Sequence, residues 1–124
     1  MPKVMIIDDD ELFRGMLLQM MEREGIDAVG TFNGKEGLQI IDSYQPDLII
    51  TDIVMPDKEG LETIIELRQH YKHIPIIAVS GGGKVHPDVY LSTAKQFGAN
   101  YAFSKPLNRT EFLSAVIKCL GKRA

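Results

Sequence analysis

The 124-residue sequence lacks several features that mark whole classes of proteins. It has a single cysteine, Cys119, which falls among apolar residues near the C-terminus and suits core packing in a reducing compartment. Its longest apolar runs are far shorter than the roughly 20 residues that a membrane-spanning helix needs. The N-terminus also shows no signal-peptide pattern. We therefore expect a cytoplasmic protein without a membrane segment.

Positive charge is scarce as well. The chain has 14 Lys and Arg against 17 Asp and Glu, a net charge of -3, and no block of basic residues. We therefore do not expect direct nucleic-acid binding, which needs a basic surface. With 44% hydrophobic and 25% charged residues the composition is that of a globular protein. This length fits one domain, so we expect a single domain over residues 1–124.

Short strand-like runs alternate with helical patterns along the whole chain. The predicted strands are Lys3 to Ile7, Asp27 to Phe32, Asp47 to Thr51, Pro75 to Val79 and Tyr101 to Ser104. A pattern of apolar residues with helical spacing follows each of them. Five strands alternating with five helices predict right-handed crossovers and a parallel sheet covered by helices on both faces.

Three of the predicted helices have recognisable starts. Asn33 and Asn108 are each followed by Glu three residues later, a pattern typical of a helix N-cap. Asp10 and Glu11 precede the first apolar helical stripe. Negative charge at the start of a helix interacts favourably with the positive end of the helix dipole, so these residues favour a helix that begins here.

The unusual polar residues follow the strands. Asp8 and Asp9 come after the first strand, Asp52 after the third, Ser80 after the fourth and Lys105 after the fifth. The carboxyl ends of parallel strands share one edge of the sheet, where ligands bind at the topological switch point. The sequence therefore predicts that three carboxylates, one hydroxyl and one ammonium meet at one crevice.

This combination of groups indicates phosphoryl transfer. One lysine offsets only part of the charge of three carboxylates, whereas a hard divalent cation such as Mg²⁺ balances the remainder. That chemistry needs a nucleophile, which an Asp can supply, and a metal and a Lys to neutralise developing charge. It also uses a hydroxyl to bind a phosphoryl oxygen. The residues alone do not choose which Asp is the nucleophile.

The segments "IIDDDE", "PDLIITDIVMPDKEG", "PIIAVSG" and "GANYAFSKPL", in this order, resemble the receiver domain of two-component response regulators. The resemblance extends from Lys3 to about Leu120 and is closest to the stand-alone, chemotaxis-regulator-like form. It implies a flavodoxin-like (βα)5 fold, a doubly wound five-stranded parallel sheet of order 2-1-3-4-5. It also implies a signalling switch that catalyses its own aspartyl phosphorylation and dephosphorylation, rather than a conventional enzyme. The donor would be a phosphohistidine on a sensor histidine kinase or a histidine phosphotransfer protein.

The resemblance also assigns roles to individual residues. Asp52 would be the phosphoacceptor, and Ser80 and Lys105 would bind the phosphoryl group. The Mg²⁺ ligands would be Asp8, Asp9, Asp52 and the backbone carbonyl of Val54. A cis peptide bond between Lys105 and Pro106 is implied as well. Gly81 would be the small residue that lets the phosphoryl donor approach.

Two departures from the family pattern stand out. The family's switch aromatic falls on Ala102, and strand alternation should place the flanking Tyr101 and Phe103 on the opposite face. We therefore predict an activation that uses no aromatic rotamer change at position 102. The segment from Ser80 to Gly98 is longer than the family pattern and contains Gly81–Gly83. This glycine loop is either a moving part of the switch or a plain flexible loop.

Two other functions stay open at this point. A pseudo-receiver would keep the fold as a binding module without phosphorylation. A haloacid-dehalogenase-like phosphatase would use Asp8 in a D-x-D-x-[TV] motif, which Asp10 fits and Leu12 does not. As a receiver the chain would act on a downstream protein target, which the sequence does not identify. It would be a monomer or a weak dimer through the face of the fourth helix, fifth strand and fifth helix.

Overall fold

The computed structural model describes residues 2–53, 59–81 and 87–121, without the side chains of residues 59–60 and 87–91. Strands and helices alternate along the chain. They are β1 (Lys3–Ile7), α1 (Glu11–Arg23), β2 (Asp27–Thr31), α2 (Gly34–Tyr44), β3 (Leu48–Asp52), α3 (Glu59–His70), β4 (Ile76–Ser80), α4 (Pro87–Phe97), β5 (Tyr101–Ser104) and α5 (Arg109–Gly121). The strands form one parallel sheet of order β2-β1-β3-β4-β5, which confirms the predicted fold class.

Strands β3 and β4 begin and end one residue later than the sequence predicts. Asp52 pairs with Val79 across β3 and β4, and Ser80 pairs with Ser104 across β4 and β5. The polar residues at these positions are therefore the last members of their strands rather than the first residues of the loops. Asp52 and Ser80 thus have a backbone fixed by the sheet.

The two faces of the sheet carry separate apolar cores. Even-numbered residues of β1 and β3 pack with α1 and α5, in a core that includes Leu17 and Phe112. Odd-numbered residues of the same strands pack with α2, α3 and α4, in a core that includes Ile41 and Ile64. Each fully buried side chain of this size contributes roughly 1.5–3 kcal/mol. Burial on both faces explains the unbroken apolar runs of β3 and β4.

Side-chain caps fix where three helices begin. Asp10 caps α1, because its carboxylate accepts hydrogen bonds from the backbone N–H groups of Leu12 and Phe13 at 3.0 and 3.2 Å. Asn33 and Asn108 cap α2 and α5, each accepting from the N–H three residues further on, at 2.8 and 3.0 Å. The predicted helix starts are confirmed. The cap on α1 also fixes the direction in which this helix leaves the sheet edge.

The residues around Ala102 lie on the faces that strand alternation predicts. Tyr101 and Phe103 pack into the core under α1 and α5, and the ring centroids of Phe103 and Phe112 are 5.5 Å apart. Ala102 packs into the opposite core. Neither flanking aromatic occupies the face of residue 102. Among the helices that the structure describes, none is both long and apolar enough to cross a membrane.

Candidate functional site

Three carboxylates lie together at the carboxyl edge of the sheet, where β1 and β3 are neighbours. Asp8 follows β1, Asp9 is the next residue, and Asp52 ends β3. One oxygen from each lies within 4.8 Å of the others. Asp8 and Asp52 are buried and Asp9 is exposed. This is a set of hard oxygen ligands with one open side, which fits a cation such as Mg²⁺ that keeps several waters.

Asp8 is held by hydrogen bonds on four sides. Its N–H donates to the carbonyl of Thr31 at 3.0 Å, and its own carbonyl accepts from the guanidinium of Arg14 at 2.8 Å. One carboxylate oxygen accepts from the N–H of Asp10 at 2.8 Å, and the other accepts from Nζ of Lys105 at 3.2 Å. The orientation of this carboxylate is therefore set before any ligand binds.

The electrostatics of the site disfavour a net negative charge at Asp8. Burial raises the pKa of the Asp8 carboxyl, and the nearby charge of Asp9 acts in the same direction. The hydrogen bond from Asp10 and the ammonium of Lys105 lower this pKa but do not cancel the effect of burial. A bound cation would stabilise the ionised carboxylate, so the donor set and the electrostatics both fit a metal ion.

Lys105 brings a positive charge to the two buried carboxylates. Its backbone N–H donates to the carbonyl of Ser80 at 2.8 Å, which continues the β4–β5 ladder by one residue. Its Nζ lies 3.2 Å from Asp8 Oδ2 and 3.5 Å from Asp52 Oδ2, and its side chain is 17% exposed. The Lys105–Pro106 peptide bond is cis.

Strand alternation explains which side chains meet. Asp8, Asp52 and Lys105 continue the rows of side chains that face α1 and α5 from β1, β3 and β5. Ser80 continues the opposite row of β4. The three charged groups therefore converge on the α1 side of the sheet edge. Ser80 is buried at the end of β4, the strand next to β3, and its Oγ lies 3.4 Å from the carbonyl oxygen of Gly81.

Comparison with known proteins identifies this arrangement. The family model "Response regulator receiver domain" matches residues 4–117. The chain belongs to this family. The receiver domain is 33% identical over 124 residues to the polar-differentiation response regulator DivK of Brucella anthropi, covering 98% of each chain. It is 31% identical over 120 residues to DivK of Brucella ovis, covering 95% of each chain.

Solved structures agree with this assignment. A putative response regulator from Chloroflexus aurantiacus has a TM-score of 0.87 at 27% identity, covering 98% of this chain and 99% of that one. The receiver domain of Francisella response regulator 1452 has a TM-score of 0.86 at 26% identity, covering 100% of both chains. The receiver domain is thus a signalling protein of two-component systems, in which such domains interact with histidine kinases or phosphotransfer proteins and with downstream targets.

The structure places most of the expected site residues of the receiver domain in one region. Asp8, Asp9, Asp52 and Lys105 are together, and Ser80 lies one residue beyond the strand position that pairs with Asp52. A Cβ added at Gly81 would lie 3.8 Å from Cδ of Lys105, an ordinary contact distance. Val54 and the loop residues Gly82 and Gly83 lie outside the described residues.

The sequence predicts Phe13 as part of the apolar stripe of the first helix, and Arg14 as a surface charge or a kinase contact. In the structure both residues contact the site. The ring of Phe13 lies under the Lys105 ammonium, 3.9 Å from Nζ to the ring centroid. The stem of Arg14 packs where Gly30 has no side chain, and its guanidinium stacks on Phe32 while holding the Asp8 carbonyl. An arginine in the first turn after the acidic pair was a weak sequence signal for the contact with Asp8. No sequence pattern indicated the contact between Phe13 and Lys105, which joins the first helix to the last loop.

Proposed function

We propose that this receiver domain accepts a phosphoryl group on Asp52 from a phosphohistidine, in a Mg²⁺-dependent reaction, and thereby changes its binding to a downstream protein. The observation that carries the proposal is the position of the Asp52 carboxylate. It ends β3 with 4% exposure, lies within 4.8 Å of oxygens of Asp8 and Asp9, and is 3.5 Å from the ammonium of Lys105.

The contacts of the other two carboxylates support Asp52 as the nucleophile. Both oxygens of Asp8 accept hydrogen bonds, one from Asp10 and one from Lys105, which suits a fixed ligand. Asp9 lies at the exposed rim. In the reaction, an oxygen of Asp52 forms a bond to phosphorus while the bond from phosphorus to the donor imidazole nitrogen breaks. The bonding electron pair leaves with the imidazole, which takes up a proton.

The chain's own residues contribute charge and orientation to this step. Lys105 places one positive charge beside the carboxylate that is attacked, and Ser80 offers a hydroxyl donor at the adjacent strand end. Asp8, Asp9 and Asp52 would hold Mg²⁺, with the carbonyl of Val54 as the further ligand that the family resemblance implies. When bound, the ion offsets negative charge on the phosphoryl oxygens.

The contacts of Asp10 do not favour a haloacid-dehalogenase-like phosphatase. That interpretation requires Asp8 as the nucleophile and Asp10 as the second acid of the motif. Instead, the carboxylate of Asp10 accepts from two backbone N–H groups at the start of α1. Asp10 therefore acts as a helix cap. Both carboxylate oxygens of Asp8 already accept hydrogen bonds, which does not suit a nucleophile.

The proposal is tested by phosphorylation with acetyl phosphate. With Mg²⁺ the wild type should gain one phosphoryl group that hydroxylamine removes, as expected of an acyl phosphate, on the peptide that contains Asp52. The adduct should disappear in Asp52→Asn and in EDTA, and persist in Asp27→Asn, a control at the opposite edge of the sheet. A wild type that forms no adduct would indicate a pseudo-receiver. An adduct that persists in Asp52→Asn but is lost in Asp8→Asn would indicate the phosphatase.

The partners belong to the same proposal. The DivK relatives are named as polar-differentiation response regulators, and the identity of 33% supports a response-regulator role for this chain. For this chain we propose protein partners in the cytoplasm. We place the output face on α4, β5 and α5, where Phe97 is 40% and Ile117 55% exposed. Light scattering with and without Mg²⁺ and beryllium fluoride should show whether the protein stays a monomer or forms a weak dimer. Phe97→Ser should weaken any such dimer.

A further inference from the structure

The ammonium of Lys105 is enclosed by an aromatic ring as well as by two carboxylates. Nζ lies 3.2 Å from Asp8, 3.5 Å from Asp52 and 3.9 Å from the centroid of the Phe13 ring. A cation over an aromatic face is attracted by the ring quadrupole within about 6 Å, and the attraction strengthens where water is excluded. The lysine side chain is only 17% exposed, so this contact lies in a largely dehydrated place.

The position of Phe13 is fixed from two sides. Its backbone N–H donates to the α1 cap, Asp10, at 3.2 Å, and its ring packs against the core beneath α1 and α5. The same ring borders an open groove of about 680 Å³, together with Met16, Met20 and Leu107. Phe13 therefore touches the phosphorylation site and the groove at once.

We propose that Phe13 is a positioning residue for Lys105, and that the ammonium leaves the ring when Asp52 becomes phosphorylated. The second half rests on the proposed function. Phe13 would then transmit the state of Asp52 to the groove along α1. The chain has Ala102 where its family carries a switch aromatic, so an aromatic ring on α1 would sense the site from the other face of the sheet.

The first half follows from the freedom of a lysine side chain. Lysine loses more rotamer freedom on being fixed than most residues do, so a fixed ammonium needs several attractive contacts. Asp8 and Asp52 attract it toward the sheet edge. The face of Phe13 covers it on the α1 side, where it would otherwise extend into water. Loss of the ring should therefore leave Lys105 in a broader set of rotamers.

The second half follows from the relative strength of the contacts. A phosphoryl group on Asp52 adds negative oxygens beside a carboxylate that is already 3.5 Å from Nζ. A hydrogen bond between an ammonium and an anionic oxygen is stronger than attraction to an uncharged ring. Nζ should therefore move from the ring to the phosphoryl oxygen, and the environment of Phe13 in the groove should change with it.

Nuclear magnetic resonance of the Lys105 ε-CH₂ group tests the positioning directly. Protons above an aromatic face are shifted upfield, so the wild-type signal should lie upfield of the other lysines. The shift should vanish in Phe13→Leu and persist in Phe13→Tyr, which keeps the ring. Tyr71→Leu removes a ring that follows α3 and contacts Asp42, away from the site, and should leave the signal in place. An ordinary wild-type position, or a signal unmoved by Phe13→Leu, would overturn the proposal.

Addition of Mg²⁺ with beryllium fluoride, a phosphoryl analogue, tests the release. The Lys105 signal of the wild type should move downfield, and the Phe13 ring signals should shift with it. In Phe13→Leu the Lys105 signal should lack this downfield change. If the analogue binds the wild type and the signal stays upfield, release of the ring is refuted.

Phosphorylation rates supply a second readout. Phe13→Leu should lower the rate constant with acetyl phosphate by about three- to tenfold, because the lysine side chain must then be ordered from a broader set of rotamers. Phe13→Tyr should restore the rate to within about twofold, and Tyr71→Leu should leave it unchanged. Equal rates in Phe13→Leu and the wild type would contradict the positioning role. A wild type that shows the upfield signal but is never phosphorylated would refute the proposed function while leaving the positioning role in place.

Discussion

Magnesium should stabilise the wild-type protein more than a variant that lacks one of the three carboxylates. The oxygens of Asp8, Asp9 and Asp52 lie within 4.8 Å of one another, and Lys105 is the one cation that the described structure pairs with them. Without a metal ion, the like charges oppose folding. Asp9→Asn removes the exposed member of this set, so the change should leave the buried contacts of Asp8 and Asp52 intact.

The magnitude follows from ligand linkage. At a Mg²⁺ concentration about ten times the dissociation constant, binding adds about 1.4 kcal/mol to the free energy of unfolding. The unfolding entropy of a chain of 124 residues is about 0.26 kcal/mol per kelvin, so the melting temperature should rise by about 5 °C. If Asp9→Asn weakens binding about tenfold, the low end for changes near a metal site, the same Mg²⁺ concentration raises it by only about 1.5 °C.

Without Mg²⁺, the melting temperatures of the wild type and Asp9→Asn should be in the opposite order. Asp9 is exposed, so water screens its repulsion with its neighbours, and removing it should gain less than about 1 kcal/mol. Asp9→Asn should therefore melt at or slightly above the wild type in EDTA, and below it in Mg²⁺. This reversal separates loss of a ligand from general damage to the fold, which would lower both melting temperatures.

Scanning calorimetry or dye-monitored melting measures both effects. MgCl₂ is compared with NaCl at equal ionic strength, because salt alone screens the repulsion. Asp27→Asn, an exposed change at the opposite edge of the sheet, serves as the matched control and should keep the full Mg²⁺ effect. Equal Mg²⁺-induced shifts in the wild type and Asp9→Asn would show that Asp9 is no ligand, and would refute the reasoning.

Three further predictions concern stability. Burial raises the pKa of Tyr44 to about 12, and its hydroxyl has no hydrogen-bond partner within the described part of the chain. An acid whose pKa is raised on folding loses folding free energy as the pH rises, here from about 10 to 12. Tyr44→Phe should therefore lose less stability over this pH range, as measured by urea unfolding. Gly15 has open space where a Cβ would stand, so Gly15→Ala should stabilise the protein by about 0.5–1 kcal/mol. Gly34→Ala should destabilise it, because the new Cβ would overlap the Thr63 hydroxyl. Adding Thr63→Ala to that variant should partly restore its melting temperature. Arg68 donates to the carbonyls of Gly98, Tyr71 and Ile74 and to the side chain of Asn100, so Arg68→Ala should cost about 2–4 kcal/mol by denaturant titration, and Arg68→Lys should not restore it.

Local sequence signals predicted the fold because they act within a few residues. The caps at Asp10, Asn33 and Asn108 and the alternation of strands with helices required only helix starts and apolar runs, whereas the order of the strands was implied by the family resemblance. The strand ends were one residue off at Asp52 and Ser80, because pairing with a neighbouring strand extended them. Inter-strand pairing of this kind is not visible in the strand's own sequence.

Contacts between distant elements could not be predicted in the same way. The apolar spacing of α1 indicated that Phe13 packs inward, but not that its ring would lie under Lys105. That contact depends on how far α1 is rotated about its axis and on where the last loop crosses it. Arg14 reaches the Asp8 carbonyl only because Gly30 leaves room for its stem. Such contacts depend on packing geometry, which one sequence does not determine.

The alternation of side chains along the strands indicates how the site communicates with the rest of the molecule. Asp8, Asp52 and Lys105 all lie on the rows that face α1 and α5, whereas Ser80 and Ala102 lie on the rows that face α4. At Ala102 the α4 side has a methyl group, which offers a phosphoryl group no aromatic ring to displace. The α1 side has a ring in direct contact with the site's ammonium. A change in charge at Asp52 should therefore act first on Lys105 and Phe13, so phosphorylation should alter α1 as well as the proposed output face on α4, β5 and α5.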